Sequence, residues 1–344
     1  MSSAAASRAV AARAAARPAP GWWPVAAWIA VPFIAAAVTH DHYMRATLAA
    51  SSLAGVFAVS WVFLAAVGGQ PSLGHALPYG AGAYAVALIG RAARLGTAAP
   101  PGLPAAAEIA AAMMAGALAA GLQGWLTRRL APVFVAVVTL ATLEAARDLT
   151  ALSTAPAIRG APEQSVAIQV PAFPGGEPAM LWGAAAVFGA AVLLVAALAR
   201  SRFGAALRAA ARGDRRAAAL GFDAPRLRLA AFVVAGAIAG VAGGLSAQLA
   251  GRVTTAALSW HATLFAPAVA LLGGPGTVVG PAAAAYVVAG LAQFFEVPAG
   301  VQLIVFAAVI AAAGLRDPRH IFGRAFDWIG PDSAGSPRPG GRGA

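Results

Sequence analysis

The sequence predicts an all-α protein, a polytopic transmembrane helical bundle of about eight to ten spans with both termini on the cytoplasmic side. Three observations predict it. First, only 10% of the 344 residues are charged and 60% are hydrophobic, with a mean hydropathy of +0.76. A soluble domain carries about 25% charged residues, so this chain cannot cover a water-facing surface. Second, apolar runs of the length that crosses a hydrocarbon core, about 20 residues, recur along the chain. Those at residues 181–199 and 229–250 contain no charge at all. Third, the basic residues fall in clusters between the runs. All 24 are arginine, and they give a formal net charge of +12.

Taken in order, residues 1–20 are an Ala/Arg-rich cytoplasmic tail. The stretch "WWPVAAWIAVPFIAAAV" is read as a retained first helix rather than a signal peptide. It is long for a signal h-region, carries Pro24 and Pro32, and runs into "THDHYMR" instead of a small-residue cleavage site. Further spans are expected near 46–67, 75–90, 104–126, 131–149, 181–199, 229–250, 261–273, 277–295 and 300–315. Several are rich in alanine, which inserts weakly, so two of the ten are candidates for re-entrant or partial segments. The membrane domain thus covers 21–316, and residues 317–344 form a cytoplasmic tail.

Alternating ten spans from a cytoplasmic N-terminus puts 18 arginines inside and 6 elsewhere, Arg91 and Arg94 being the dissenters. The densest cluster is the arm at 200–228, which holds eight arginines between two uncharged spans. Its "RFGAALRAAARGDRRAAALGFD" is rich in helix-forming Ala, Leu and Arg, broken at Gly213 and stopped at Gly221. Two short helices about a glycine break are expected. The residues alone leave two readings open, a hinged two-helix element with a role of its own or a positive-inside anchor on anionic membrane lipid.

Within the membrane, Gly236, Gly240 and Gly244 lie four apart, a spacing that lets two helix backbones approach. "GGQPSLGHALPYGAGAY" and "LLGGPGTVVGP" are breaks between helices. The first brings Gln70, Ser72 and His75 to a membrane edge. Such interruptions expose free backbone groups near a solute path or serve packing alone. Glu144 and Arg147 are spaced to pair at i, i+3, beside Asp148, and Glu296 stands alone near the end of a span.

Several function classes are excluded. The arginines lack the aromatic interleaving of a nucleic-acid surface. No Walker motif, HExxH or GxSxG appears, and no mid-span carboxylate pair, so the chain is not read as an enzyme and no cofactor is expected. With no cysteine there is no thiol metal site. "HDH" at 40–42 is read as a solvated loop rather than a metal site.

Three stretches together resemble permease subunits of ABC importers for branched-chain amino acids, the LivM-like branch in particular. They are "GGQPSLGHALPYGAGAY", the arm with the span that follows it, and "LLGGPGTVVGPAAAA". Their order and spacing match as well, over roughly residues 48–314. The resemblance implies that the arm docks on a cytoplasmic ATPase subunit, with Gly204, Leu207, Arg208, Asp214, Ala219 and Gly221 as coupling elements. The two helix breaks make Gln70, Ser72, Gly74, His75, Gly273 and Gly274 the candidates for the translocation path. Replacing Gly221 or Asp214 is then expected to spare insertion and break ATPase docking. The implied partners are two cytoplasmic ABC ATPase subunits, a second homologous permease and an extracytoplasmic solute-binding protein, in a bacterial inner membrane. The chain departs from the family in two places. Arg212, Arg215 and Arg216 stand where an acid-rich run is usual, and "LTALSTAPAIRGAPEQ" lacks a glycine pair. The alternative is a standalone secondary transporter or channel, which would need polar or charged residues in mid-span.

Overall fold

The computed structural model describes residues 22–95, 105–154, 168–169, 173, 175–274 and 278–316. The expected tails at 1–20 and 317–344 lie outside the described residues. Helix follows helix: α1 (Trp22–Val38), α2 (His42–Val62), α3 (Ala76–Leu95), α4 (Ala105–Thr127), α5 (Pro132–Thr154) and α6 (Gly176–Arg200). The arm forms α7 (Arg202–Ala211) and α8 (Asp214–Ala219). The chain then continues as α9 (Ala224–Ala250), α10 (Trp260–Gly273), α11 (Val279–Phe294) and α12 (Ala299–Arg316). The strands among the described residues are two residues each, β1 (Ile168–Gln169) pairing antiparallel with β2 (Arg252–Val253), Ile168 opposite Val253.

Every apolar run coincides with a helix. Four stretches, His42–Val67, Ala106–Thr127, Gly176–Arg200 and Ala224–Ala250, are long and apolar enough to cross a membrane. Five shorter apolar helices accompany them, in α1, α3, α10, α11 and α12. α5 is apolar only in its first half, before Glu144, Arg147 and Asp148. Large apolar side chains stand exposed on the flanks, among them Leu118, Phe134, Leu291 and Ile304. That is the pattern expected where the surrounding medium is hydrocarbon.

α9 is the hub. Its glycine stripe meets α4 so closely that a Cβ on Gly236 would overlap Ala120 and the Gly116 carbonyl, and one on Gly240 the Ala112 carbonyl. Gly243, on another face, sits against the Tyr79 carbonyl of α3. Around this glycine-paved contact the core is built from Val56, Phe63, Phe188, Phe232 and Val269. Backbone approach of this kind substitutes for the hydrophobic drive that lipid does not supply.

The two ends of the bundle differ in chemistry. One gathers the arm, Arg128 and the π-helical continuation of α2 (Phe63–Val67), where Phe63 and Phe203 face each other at 6.5 Å between centroids. The other holds the His42–Glu177 pair (2.5 Å) and the Tyr43 hydroxyl, which donates to the Gln293 carbonyl (2.6 Å).

Candidate functional site

A concavity lies in the half of the bundle away from the arm. It is a cleft of about 630 Å³ between α2, α3, α9, α10 and α11. Alanine is the commonest residue of its walls, including Ala46, Ala50 and Ala54 on α2 and Ala247 and Ala250 on α9. Small side chains at i, i+4 and i+8 turn a close helix contact into a groove. Phe57, Tyr79 and Phe265 also line it, with Phe57 and Tyr79 packed edge to face at 5.1 Å. The polar groups come from many elements: Ser246, Arg252, Thr254, His261, Gln293 and Gln302. An apolar cleft with a few polar groups on its walls is the usual form of a small-molecule site.

Two of those polar groups are fixed relative to each other. The Gln302 amide nitrogen donates to the Val297 carbonyl (2.6 Å), which leaves its oxygen toward His261 Nε2 at 2.7 Å. Nε2 therefore carries a hydrogen, and Nδ1 of a neutral imidazole is the acceptor. Arg252 is placed by the β1–β2 ladder, directly after the left-handed Gly251 that ends α9 (φ +67).

Behind the cleft lies the break between α2 and α3. The chain turns back after the π-helical segment, so that His75 Nε2 meets the Ser60 hydroxyl at 2.8 Å and the Trp61 indole donates to the Ser72 carbonyl (2.7 Å). α3 therefore starts beside Ser60, two helical turns back from the end of the π segment. The freed backbone groups are satisfied by Gln123 of α4 and Thr139 of α5. Gln123 donates to the Gly74 carbonyl (3.1 Å) and to the Thr142 hydroxyl (2.9 Å), and Leu73 N–H donates to the Thr139 hydroxyl (3.1 Å).

The arm is a structured element. Ser201 caps α7 by accepting from Gly204 N–H (3.2 Å), and Gly204 presses on the Leu198 carbonyl so tightly that a Cβ would overlap it. Leu207 is fully buried beside Phe63 in the main core. Arg208 donates to the Ala199 carbonyl at 2.5 Å; burial, and then the like charge of Arg212, lower its pKa from the ordinary value. Gly213 (φ +134) breaks the arm between α7 and α8. Gly221 (φ +80) ends α8 in a Schellman motif, with Phe222 N–H on the Ala217 carbonyl and Gly221 N–H on that of Ala218, both 2.9 Å. Asp223 then caps α9 through Arg226 N–H (3.2 Å). Ala210, Ala217 and Ala224, seven apart, pack the three helices of this corner together.

A family model described as "Branched-chain amino acid transport system / permease component" matches residues 43–314, well over half of the chain. The chain belongs to this family. No curated protein and no solved structure gave a significant match. The protein is thus a multi-pass transport permease, and its family is one of transporters, not of enzymes.

In this permease the residues singled out from sequence fall into three groups. Gln70, Ser72, Gly74 and His75 are all buried, and none lines the cleft. His75 stands one layer behind its wall, 5.4 Å from the Phe57 ring. Gly273 abuts the Gly280–Pro281 peptide across the α10–α11 break, and Gly274 (φ +89) turns the chain there. Gly204, Leu207 and Arg208 root the arm in the bundle, while Asp214, Ala219 and Gly221 are on its exposed side. The Glu144–Arg147 pair forms at 3.7 Å on a partly exposed face.

Sequence reasoning did not find Gln123, Arg228 or the cleft residues His261, Gln302 and Arg252. Gln123 and Gln302 left a trace, each as an amide inside an apolar run. Also missed was Glu108 on α4, buried and bonded by the Gln248 amide of α9.

Proposed function

We propose that this permease is the membrane subunit of an ABC importer for branched-chain amino acids, forming half of the translocation path. Two cytoplasmic ABC ATPase subunits would drive it through the 200–228 arm. A second homologous permease would complete the path, and an extracytoplasmic binding protein would deliver the solute in a bacterial inner membrane. One observation carries the reading beyond family membership. The cleft and the arm sit at opposite ends of one continuous helix. α9 is capped by Asp223 at the arm, and 23 residues later its Ser246 lines the cleft. A 27-residue helix spans about 40 Å, so a push on the arm is delivered to the cleft wall.

The cleft chemistry supports the solute class. Alanine walls with Phe57 and Phe265 suit an aliphatic side chain, while Arg252 and the His261–Gln302 pair offer partners to a carboxylate and an ammonium group. On the arm, Leu220 and Phe222 are exposed beside Arg215, Arg216 and Arg226. That surface suits a partner groove that is apolar with an acidic rim.

The test is to tag the C-terminus, extract the protein gently and identify what co-purifies. An ABC ATPase with a second permease is the expected result. Recovery of the chain alone from an extraction that preserves complexes would overturn the reading in favour of a standalone transporter, with the arm as a lipid anchor.

A further inference from the structure

Arg228 is the one arginine of the 200–228 arm that is buried, at 8% exposure. It is the fifth residue of α9, and its guanidinium reaches three other elements. Nη2 pairs with Asp214 Oδ1 at the start of α8 (2.5 Å) and donates to the Ala210 carbonyl near the end of α7 (3.3 Å). Nη1 donates to the Arg128 carbonyl at the end of α4, 100 residues away in the chain (3.1 Å). Two of these acceptors are helix C-termini, where the partial negative charge of the unsatisfied carbonyls favours a cation. A planar, permanently charged fork can serve three such acceptors at once, and an ammonium group cannot match it.

The surroundings make the contact consequential. Nε of Arg228 is buried with no partner among the described residues, so the cation depends on this set of acceptors. α4 and α9, which Arg228 joins at their arm-side ends, are the helices locked by the Gly116, Gly236 and Gly240 contact. The outer part of α9 is a wall of the cleft. A displacement of α7 or α8 is therefore handed to α4 and α9 together, as a block.

We infer that Arg228 is the positioning residue that clasps the arm to the α4–α9 block, and that Asp214, although its side chain is 60% exposed, serves this clasp through Oδ1 rather than a partner. The role in coupling rests on the importer reading above; the clasp itself does not, and the two are tested separately.

The clasp is read in the purified permease alone. The chain has no cysteine, so Arg129→Cys and Ala219→Cys, both exposed, accept spin labels without background. A single narrow distance distribution is expected, broadened by Arg228→Met and less so by Arg228→Lys. An unchanged width with Arg228→Met overturns the clasp. The coupling role is read in the complete importer in proteoliposomes. Arg228→Met and Asp214→Asn should retain the co-purified ATPase, while solute moved per ATP hydrolysed falls at least tenfold, with Arg228→Lys intermediate. An unchanged transport-to-ATP ratio overturns the coupling role. Loss of the ATPase with Asp214→Asn overturns the assignment of Asp214 to the clasp and makes it a docking residue. Broadened distances in a protein that binds no ATPase would uphold the clasp and overturn the importer reading alone.

Discussion

Glu296 closes α11 in the left-handed conformation, φ +49, with Val297 N–H on the Ala292 carbonyl (2.9 Å) and its own N–H on that of Gln293 (3.0 Å). This is the same Schellman geometry that Gly221 gives α8, but adopted by a residue with a Cβ, at a cost of about 1–2 kcal/mol. Glu296→Gly should therefore raise stability by about 0.5–1 kcal/mol after glycine's own entropic loss, seen as a higher unfolding temperature in detergent. A lower one would mean that the Glu296 side chain has a stabilising role of its own. In the cleft, Gln302 fixes the His261 ring, so Gln302→Leu should free the imidazole. We expect KM for uptake to rise about tenfold, equivalent to about 1.4 kcal/mol, with assembly unchanged; an unaltered KM would remove the pair from solute recognition. Left-handed positions are legible in a sequence when glycine occupies them, as at Gly213 and Gly221. Glu296 is illegible because nothing in its identity announces its backbone.

The α4–α9 contact sets what the bundle tolerates. Gly240 has no room for a Cβ, since the Ala112 carbonyl and the Gly116 backbone occupy it, whereas Gly121 meets only the Val233 methyl at 3.4 Å. Gly240→Ala should thus destabilise by about 1–3 kcal/mol, and Gly121→Ala should be neutral or stabilise by up to about 1 kcal/mol. Paired thermal unfolding curves check this; equal effects would show that helix propensity, not the close approach, decides both. The Gly236, Gly240 and Gly244 spacing was readable as a face, because helical period alone puts them together. Its partner was not, since the complementary Ala112, Gly116 and Ala120 look like any small-residue helix. The break at 68–75 was likewise visible from Gly and Pro. Its return to the level of Ser60, and the Gln123 and Thr139 groups that make the return tolerable, depend on tertiary packing.

Across the whole molecule, fold class follows from composition, because desolvation of charge is too costly to leave it ambiguous, while the arginine clusters make sidedness an expectation. The cleft is a different case. The commonest residue of its walls is alanine, in a chain full of alanine, and its polar groups come from separate elements, none distinctive alone. Arg228 could only be counted as one more positive charge of the arm, because burial is not a property of the residue type. The importer reading proposed above requires that cleft and arm face opposite compartments. Ala256 lines the cleft and Ala219 lies on the exposed side of α8, and the chain's lack of cysteine makes single-cysteine labelling unambiguous. In intact cells an impermeant maleimide should modify Ala256→Cys and spare Ala219→Cys, which becomes reactive only after permeabilisation. The reverse pattern would invert the cytoplasmic placement of the termini. Labelling of both from outside would take the arm away from any cytoplasmic ATPase, and with it the importer mechanism, since a lever must stand in the compartment of its motor.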